Sequence, residues 1–251
     1  MSEIDWLKTK QTCDGILHLE LNRMPVNAFN AQALNELGDL FALWEENEQI
    51  KAVVMSSALK VFSAGLNLKE AQHYDIFEQT AIVNGFHACF LRIFSFCKPL
   101  VVAVEGAAIA GGLFPILCSD YRVSGPAASF GLAEVKVGVG LPIGLVEIVR
   151  SMMSADTMRL MMQTGIPIKA DRALQMQIID ECVSAGQATE RAFEVAKNLA
   201  ALPSTAYATV KHQIRAPVIA VLEGEVARIG HSEATNWFTD ETPIAMAKMI
   251  K

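Results

Sequence analysis

Residues 98–123, KPLVVAVEGAAIAGGLFPILCSDYRV, contain two apolar runs separated by a glycine segment. The first apolar run, Leu100–Val104, predicts a buried strand, which leads through the glycine segment at 106–112 into a short helix at 113–118. A second apolar run at 121–125 predicts the next strand. No side chain in the glycine segment could act as a nucleophile, a base or a metal ligand. Any chemistry at this turn would therefore come from its backbone.

A second turn, FSAGLNL at 62–68, follows the same pattern of small residues between an apolar strand and a helix. The first N–H groups of a helix have no partner within the helix and carry partial positive charge. Glycine there permits positive φ and close approach of another molecule. Two such turns facing each other would direct two N–H groups at one oxygen, forming an oxyanion hole. Ordinary strand-to-helix connections are the alternative explanation, and for either turn alone they are the more common one.

The rest of the chain repeats a unit of strand, strand and helix, which favours an α/β class. Alternating or continuous apolar runs predict strands at 15–22 and 51–57, and 178–183 reads as a strand or a bridge between helices. Asn30 is a plausible N-cap for the helical pattern that follows it, and a long helix ends before Lys98. Further helices are predicted at 145–152, 155–164, 170–177 and 187–201, and in a tail from about 204.

The segment ALPSTAY, 201–207, is the best candidate for a boundary. It divides a core at 1–200 from a C-terminal helical segment at 201–251. Pro217 is expected to kink or interrupt the tail helix. That helix carries an apolar face suited to packing on its own core or on a neighbour, and the sequence does not choose between them: Val210, Ile214, Val218, Val221 and Leu222.

Composition excludes several classes of protein. With 251 residues the chain can bury most of its apolar surface, and 52% hydrophobic against 19% charged residues argues against disorder. A net charge of −6 without a basic run disfavours binding to nucleic acid. The sequence contains no run of 18 consecutive apolar residues, so a membrane span is not expected. The N-terminal residues resemble no targeting peptide, and we therefore expect a soluble cytoplasmic protein.

Cysteines and histidines offer little chemistry. The five cysteines form no CxxC pair and are odd in number, so we expect buried free thiols rather than disulfides or a zinc site. No acid or nucleophile is matched to the histidines, which we expect to be solvated or on helix faces: His73, His87, His212 and His231.

Three segments together resemble the crotonase (enoyl-CoA hydratase/isomerase) superfamily: VFSAGLNLKE, the stretch 98–123, and SFGLAEVKVGVGLPIG at 129–144. The resemblance runs from LNRMPVNAF to the tail FTDETPIAMAKMIK. It implies a ββα superhelix with a helical C-terminal segment. It also implies an oxyanion hole for an acyl-CoA thioester, made by the N–H groups of Leu66 and Gly111. CoA would enter with the substrate, without a further cofactor or metal, and the assembly would be a homotrimer or a dimer of trimers.

Hydratases of this superfamily use two glutamates, and here only one is present. The first belongs three residues after the oxyanion glycine, where this chain has Phe114; the second belongs twenty residues later, at Glu134. Water addition divides its work between two carboxyls, whereas one glutamate could move a proton from C2 to C4 and shift a double bond. The segment FGLAEVKVG also resembles the mitochondrial-type Δ3,Δ2-enoyl-CoA isomerases. Taken alone, Glu134 would read as an exposed loop residue.

The resemblance assigns further residues to substrate binding: Asn27, Ala28, Ser63, Ala64, Lys69, Gly112 and Phe114. Asn27 and Ala28 would lie near the pantetheine arm, and Phe114 would help to form an apolar pocket that raises the pKa of Glu134. Lys69 would lie near the CoA phosphate or adenine, although a solvated surface lysine is an equal alternative. Asn67 stands where the family commonly has aspartate.

The leading hypothesis is therefore a cofactor-independent Δ3,Δ2-enoyl-CoA isomerase of fatty-acid β-oxidation. Other crotonase chemistries are alternatives: enoyl-CoA hydratase, acyl-CoA thioester hydrolase or decarboxylase. An inactive acyl-CoA-binding protein is an alternative from a different class, and it would not need Glu134. The sequence leaves the acyl chain length open.

Overall fold

The computed structural model describes residues 4–229 and 236–250. Its strands are β1 (Leu7–Gln11), β2 (Ile16–Leu21), β3 (Ala52–Ser57), β4 (Leu100–Val104), β5 (Ala107–Ile109), β6 (Tyr121–Ser124), β7 (Ser129–Gly131), β8 (Ile168–Lys169) and β9 (Glu181–Cys182). Its helices are α1 (Ala31–Glu46), α2 (Leu68–Ala71), α3 (Ile76–Ser95), α4 (Phe114–Leu117), α5 (Ile143–Met152), α6 (Ala155–Thr164), α7 (Ala170–Gln175), α8 (Ala188–Ala200), α9 (Ser204–Ala227) and α10 (Thr242–Met249). Two 3₁₀ helices cover Ala110–Leu113 and Glu134–Val137.

Two sheets organise the chain, and successive strands alternate between them from β4 to β7. The larger has the order β1-β2-β3-β4-β6-β9 and is parallel except for the β1–β2 pair; the smaller has the order β5-β7-β8. β4 leads to β5 and β6 leads to β7, so each pair crosses from the large sheet to the small one. Ser63 also pairs with Ala108 of β5, which brings the first glycine turn into the same arrangement. This is the ββα superhelix that the sequence predicts.

Helices cover both faces of the large sheet. In β4, Leu100, Val102 and Val104 face one apolar cluster, while Val101 and Ala103 face the cluster that α8 completes. A strand buried on both faces has no polar side, which explains the continuous apolar run in the sequence.

Polar side chains cap the N-termini of two long helices, α1 and α3. The Asn30 side chain accepts a hydrogen bond from the Ala33 N–H at 3.0 Å, so the predicted N-cap of α1 is confirmed. At α3, Asp75 and Glu78 form a reciprocal capping box, which the sequence analysis did not recognise.

The tail helix α9 packs on α3 and α5 of its own chain. Val218 and Leu222 are buried there, while Val210 and Ile214 are exposed. Pro217 was expected to kink or interrupt this helix; it does not interrupt it, because α9 runs through this residue as one helix. Pro217 and Gln213 are both exposed, so water can satisfy the Gln213 carbonyl that loses its N–H partner.

Several local expectations need correction. β1 was not predicted, and the segment 178–183 is a strand only at Glu181–Cys182. The cysteines are free, but only Cys89 and Cys118 are fully buried and Cys13 is exposed. His73 and His212 are exposed and His87 is buried on α3, whereas His231 lies outside the described residues. Within the described ranges, no helix combines the length and the apolarity that crossing a bilayer requires.

Candidate active site

The two glycine turns pack directly against each other. Gly65 has φ +77°, and a Cβ built on it would lie 2.7 Å from the Ile109 carbonyl oxygen and 2.8 Å from the Gly111 nitrogen. A Cβ on Gly112 would lie 2.4 Å from the Ser63 carbonyl oxygen. Any larger residue would force the turns apart, since real Cβ atoms do not approach backbone this closely. The predicted meeting of the two turns is therefore present in the structure.

Both turns leave an N–H group outside their local hydrogen bonding. Phe29 bridges the first turn by donating to the Gly65 carbonyl at 2.7 Å and accepting from the Asn67 N–H at 2.8 Å, so the intervening Leu66 N–H is not used by this bridge. Gly111 is the second residue of a 3₁₀ helix, where an N–H has no intrahelical partner. Leu66 and Gly111 line the same cavity.

A buried polar network holds the first turn in place. Asn27, with φ +50°, donates from Nδ2 to Ser57 Oγ and to the Phe62 carbonyl, both at 2.8 Å. Ser63 Oγ donates to the Asn27 carbonyl at 2.7 Å and accepts from the Gly65 N–H at 3.1 Å. Asn27 and Ser63 thus fix the geometry of the turn from behind, and neither side chain lines the cavity.

The cavity at the turns has a volume of about 260 Å³ and an almost wholly apolar wall. The residues that line it share small or hydrophobic character, except for one carboxyl: Ala64, Leu66, Leu68, Phe86, Ile109, Ala110, Gly111, Ala133, Glu134, Val137, Val139, Leu141, Pro142, Leu145, Trp237 and Met249.

Glu134 is the single ionisable side chain among these lining residues. It begins the 3₁₀ helix after β7 and is only 9% exposed, so it is not an exposed loop glutamate. Within the described chain, no group donates a hydrogen bond to its Oε2. Burial raises the pKa of Glu134 to about 7, partly offset by a hydrogen bond from its own backbone N–H. A carboxyl of this kind can both take up and release a proton near neutral pH.

Other predicted residues lie around the site rather than in it. Phe114 is fully buried, and its ring centroid lies 5.2 Å from that of Phe90, outside the cavity lining. Phe90 in turn stacks on Phe86, which does line the cavity. Lys69 is exposed on α2, and the Ala28 carbonyl accepts a hydrogen bond from the Arg23 guanidinium. Ala64 lines the cavity, as its predicted contact with substrate would require.

The C-terminal segment contributes to the cavity, which was not predicted from the sequence. Trp237 and Met249 line the cavity from the far end of the chain. The Trp237 indole N–H donates to the Gly140 carbonyl at 2.8 Å, and Thr242 Oγ1 donates to the Gly138 carbonyl at 2.7 Å. These bonds tie the segment to the loop that follows Glu134. The adjacent aromatics in NWFTD, within a polar stretch, were the signal that could have indicated burial.

With this geometry in place, comparison with known proteins identifies the family. A family model described as enoyl-CoA hydratase/isomerase matches residues 11–235. The chain belongs to this family. The predicted crotonase membership and fold are therefore confirmed.

Proteins similar to this chain are named for more than one reaction. The chain is 31% identical over 201 residues to a carnitinyl-CoA dehydratase of Shigella flexneri, covering 80% of this chain and 77% of the relative. An enoyl-CoA isomerase of known structure from Mycobacterium tuberculosis is 26% identical in sequence. The match has a TM-score of 0.80 and covers 91% of this chain and 99% of the isomerase chain. The human mitochondrial Δ3-Δ2-enoyl-CoA isomerase shares the fold at 22% identity, with a TM-score of 0.86. The match covers 98% of this chain and 96% of the human chain. The protein is an enzyme of the enoyl-CoA hydratase/isomerase family.

Proposed function

We propose that the protein is a Δ3,Δ2-enoyl-CoA isomerase. The observation that carries this proposal is that Glu134 contributes the one carboxyl to an otherwise apolar cavity beside the two glycine turns. The position where a hydratase would supply a second carboxyl is Phe114, whose ring packs in the core.

The glycine turns would bind the thioester oxygen. In the proposed complex the N–H groups of Leu66 and Gly111 donate to this oxygen, which gains negative charge when a proton leaves C2. Donors already fixed in place, in a site with little water, stabilise such charge more effectively than water does. The contacts of Asn27 and Ser63 support this role, because they hold the first turn rigid.

Glu134 would carry the proton. Its ionised carboxylate takes the proton from C2, and the electrons of that C–H bond form a dienolate spread over C2, C3, C4 and the thioester oxygen. Glu134 then returns the proton to C4, which leaves the double bond between C2 and C3. No atom is gained or lost overall, and the carboxylate is regenerated. A pKa of about 7 suits both steps, because the group is readily ionised and readily protonated near neutral pH.

The remaining assignments extend the same proposal. Ala64 and Gly112 would contact the substrate near the turns, Asn27 and Ala28 would lie near pantetheine, and Lys69 would meet the CoA phosphate or adenine. CoA arrives as part of the substrate, so the proposal includes no other cofactor. A role in fatty-acid β-oxidation, a cytoplasmic location, and a trimer or dimer of trimers stay predictions; sedimentation would test the assembly.

Hydration or dehydration is the second candidate, favoured by the 31% identity to a carnitinyl-CoA dehydratase. The lining of the cavity weighs against it. Water addition needs a group to position and deprotonate water and a second group to protonate carbon, and the described lining residues provide a single carboxyl.

The proposal is tested by assaying 3-enoyl-, 2-enoyl- and saturated acyl-CoAs with wild type and Glu134→Gln. We expect wild type to isomerise 3-enoyl-CoA, and kcat to fall by at least about 10³-fold in the variant. The affinity for saturated acyl-CoA should stay nearly unchanged, since binding does not need the charge. Hydration of 2-enoyl-CoA should be negligible.

Glu147→Gln is the matched control, because Glu147 pairs with Arg150 on α5 and does not line the cavity. It should behave as wild type. Equal isomerisation by Glu134→Gln would contradict the proposal, and rapid hydration by wild type would favour the second candidate. Acyl-CoA binding without any turnover would identify a binding protein instead.

A further inference from the structure

A second cavity adjoins the first, and the two share a wall. It has a volume of about 440 Å³, and Trp237 and Pro142 line both cavities. The other described residues that line the second cavity include Thr80, Val83, Asn84, His87, Glu225 and Arg228. The two cavities are therefore adjacent, and Trp237 and Pro142 lie between them.

The two cavities differ in polarity. The first is apolar apart from Glu134, whereas the second contains an Arg228–Glu225 ion pair at 2.6 Å and the buried His87 ring. His87 Nε2 lies 3.4 Å from the Gly144 nitrogen. The second cavity also presents apolar surface from Val83, Pro142 and Ile143, so methylenes that enter it would still leave water.

The Trp237 side chain is held firmly in the shared wall. Its indole N–H donates to the Gly140 carbonyl at 2.8 Å, and its ring meets Phe86 edge-to-face with centroids 6.2 Å apart. Gln79 Oε1 accepts from the backbone N–H groups of both Trp237 and Phe238, at 3.1 and 3.0 Å. Polar and aromatic contacts on several sides fix both the backbone and the ring, as a specificity-determining wall requires.

We propose that Trp237 sets the length of the acyl chain by closing the substrate cavity off from the second cavity. This inference rests on the proposed function, because it takes the 260 Å³ cavity to be the acyl site. A cavity of about 150 Å³ holds a six-carbon ring, so the present one holds about ten non-hydrogen atoms. After the thioester group is placed, the space is filled by a short acyl chain of about six carbons.

The test measures binding of hexanoyl-CoA and decanoyl-CoA to wild type, Trp237→Ala and Trp237→Phe by calorimetry. These thioesters contain no double bond to shift, so the readout does not depend on turnover. Each methylene moved out of water gains about fourfold in affinity. Wild type should gain nothing from the four extra methylenes of decanoyl-CoA. Trp237→Ala should bind decanoyl-CoA at least about tenfold more tightly than wild type does, while hexanoyl-CoA affinity changes little.

Trp237→Phe separates the wall from its hydrogen bond. Phenylalanine keeps most of the bulk but cannot donate to Gly140, so this variant should retain the preference for short chains. Trp6→Ala is the matched control, since Trp6 is a partly buried tryptophan outside both cavities, and it should leave the preference unchanged. If Trp237→Ala fails to fold, as judged by circular dichroism, Trp237→Leu provides a smaller opening with the same expected direction.

Refilling the second cavity tests where the longer chain goes. Val83 lines only the second cavity, so adding Val83→Phe to Trp237→Ala should remove the gain for decanoyl-CoA. Equal discrimination by wild type and Trp237→Ala, or loss of discrimination in Trp237→Phe, would overturn the inference. A chain-length limit in a wild type that isomerises nothing would overturn the proposed function alone.

Discussion

Asp120 and Glu134 are two carboxylates in the interior of one chain, and their surroundings are opposite. Asp120 Oδ2 accepts from Lys211 Nζ at 2.6 Å and from the Leu100 N–H at 2.8 Å, while Oδ1 accepts from Arg215 at 2.9 Å. Among the described residues, Glu134 has no such cations and its Oε2 has no hydrogen-bond donor. One carboxylate is fully paired, and the other is left available.

The difference indicates that Asp120 stabilises the fold, whereas Glu134 is available for chemistry. Asp120 links β4, β6 and the tail helix α9 through its partners, and burial lowers the pKa of Lys211 to about 8 despite this neighbour. Glu134 faces an apolar cavity that raises its own pKa to about 7. Ion pairing would have suppressed the proton exchange that the proposed reaction needs, whereas burial without partners promotes it.

Removing the paired carboxylate should have the largest effect on the stability of the protein. Asp120→Ala leaves Lys211 and Arg215 buried without their anion, and we expect a loss of about 3–5 kcal/mol in the free energy of unfolding. Urea denaturation at neutral pH measures this. Asp14→Ala removes an exposed pair with Lys197 and should have no measurable effect. A loss of less than about 1 kcal/mol for Asp120→Ala would show that the buried cluster is not a structural link.

The unpaired carboxylate should behave in the opposite way. The pKa of Glu134 is about 7 in the folded protein, against an ordinary value of 4.5. Wild type therefore loses stability as pH rises through this window, because the unfolded chain ionises first and the folded chain must then bury a charge. Glu134→Gln lacks this loss, so its stability relative to wild type should increase by about 2–3 kcal/mol between about pH 5 and pH 8.

Urea denaturation of both proteins at the two pH values measures this difference. Glu147→Gln, which changes a glutamate outside the cavity, should show no such trend with pH. If the difference between Glu134→Gln and wild type were the same at both pH values, Glu134 would not be the isolated buried carboxyl described above.

The sequence predicted the parts of this molecule that depend on local pattern. The apolar runs located β2, β3, β4 and β6, Asn30 marked the start of α1, and the family resemblance implied that the two glycine turns meet. The resemblance also supplied the spacing that identifies Phe114 as a missing glutamate and Glu134 as a retained one. In each case the signal lies in a short stretch of sequence or in a fixed spacing.

The remainder depends on contacts between distant residues. β1 is an edge strand with four of its five residues exposed, so it has no apolar alternation to detect. Trp237 reaches the site through a hydrogen bond to Gly140, 97 residues away. The ring of Phe114 was expected in the pocket, but it joins the aromatic cluster of Phe90 instead. Such placements follow from tertiary packing, which no local pattern encodes.

The pH dependence of kcat/KM for isomerisation of 3-enoyl-CoA is the most direct test of Glu134 as the proton carrier, because it reports ionisations of the free enzyme. With Glu134 as the single acid–base group, kcat/KM should rise about tenfold per pH unit at low pH, bend near the pKa of about 7, and stay level above it. A bell-shaped profile would contradict this role of Glu134, because it requires a second essential ionisable group. A profile that is flat through this range would also contradict it.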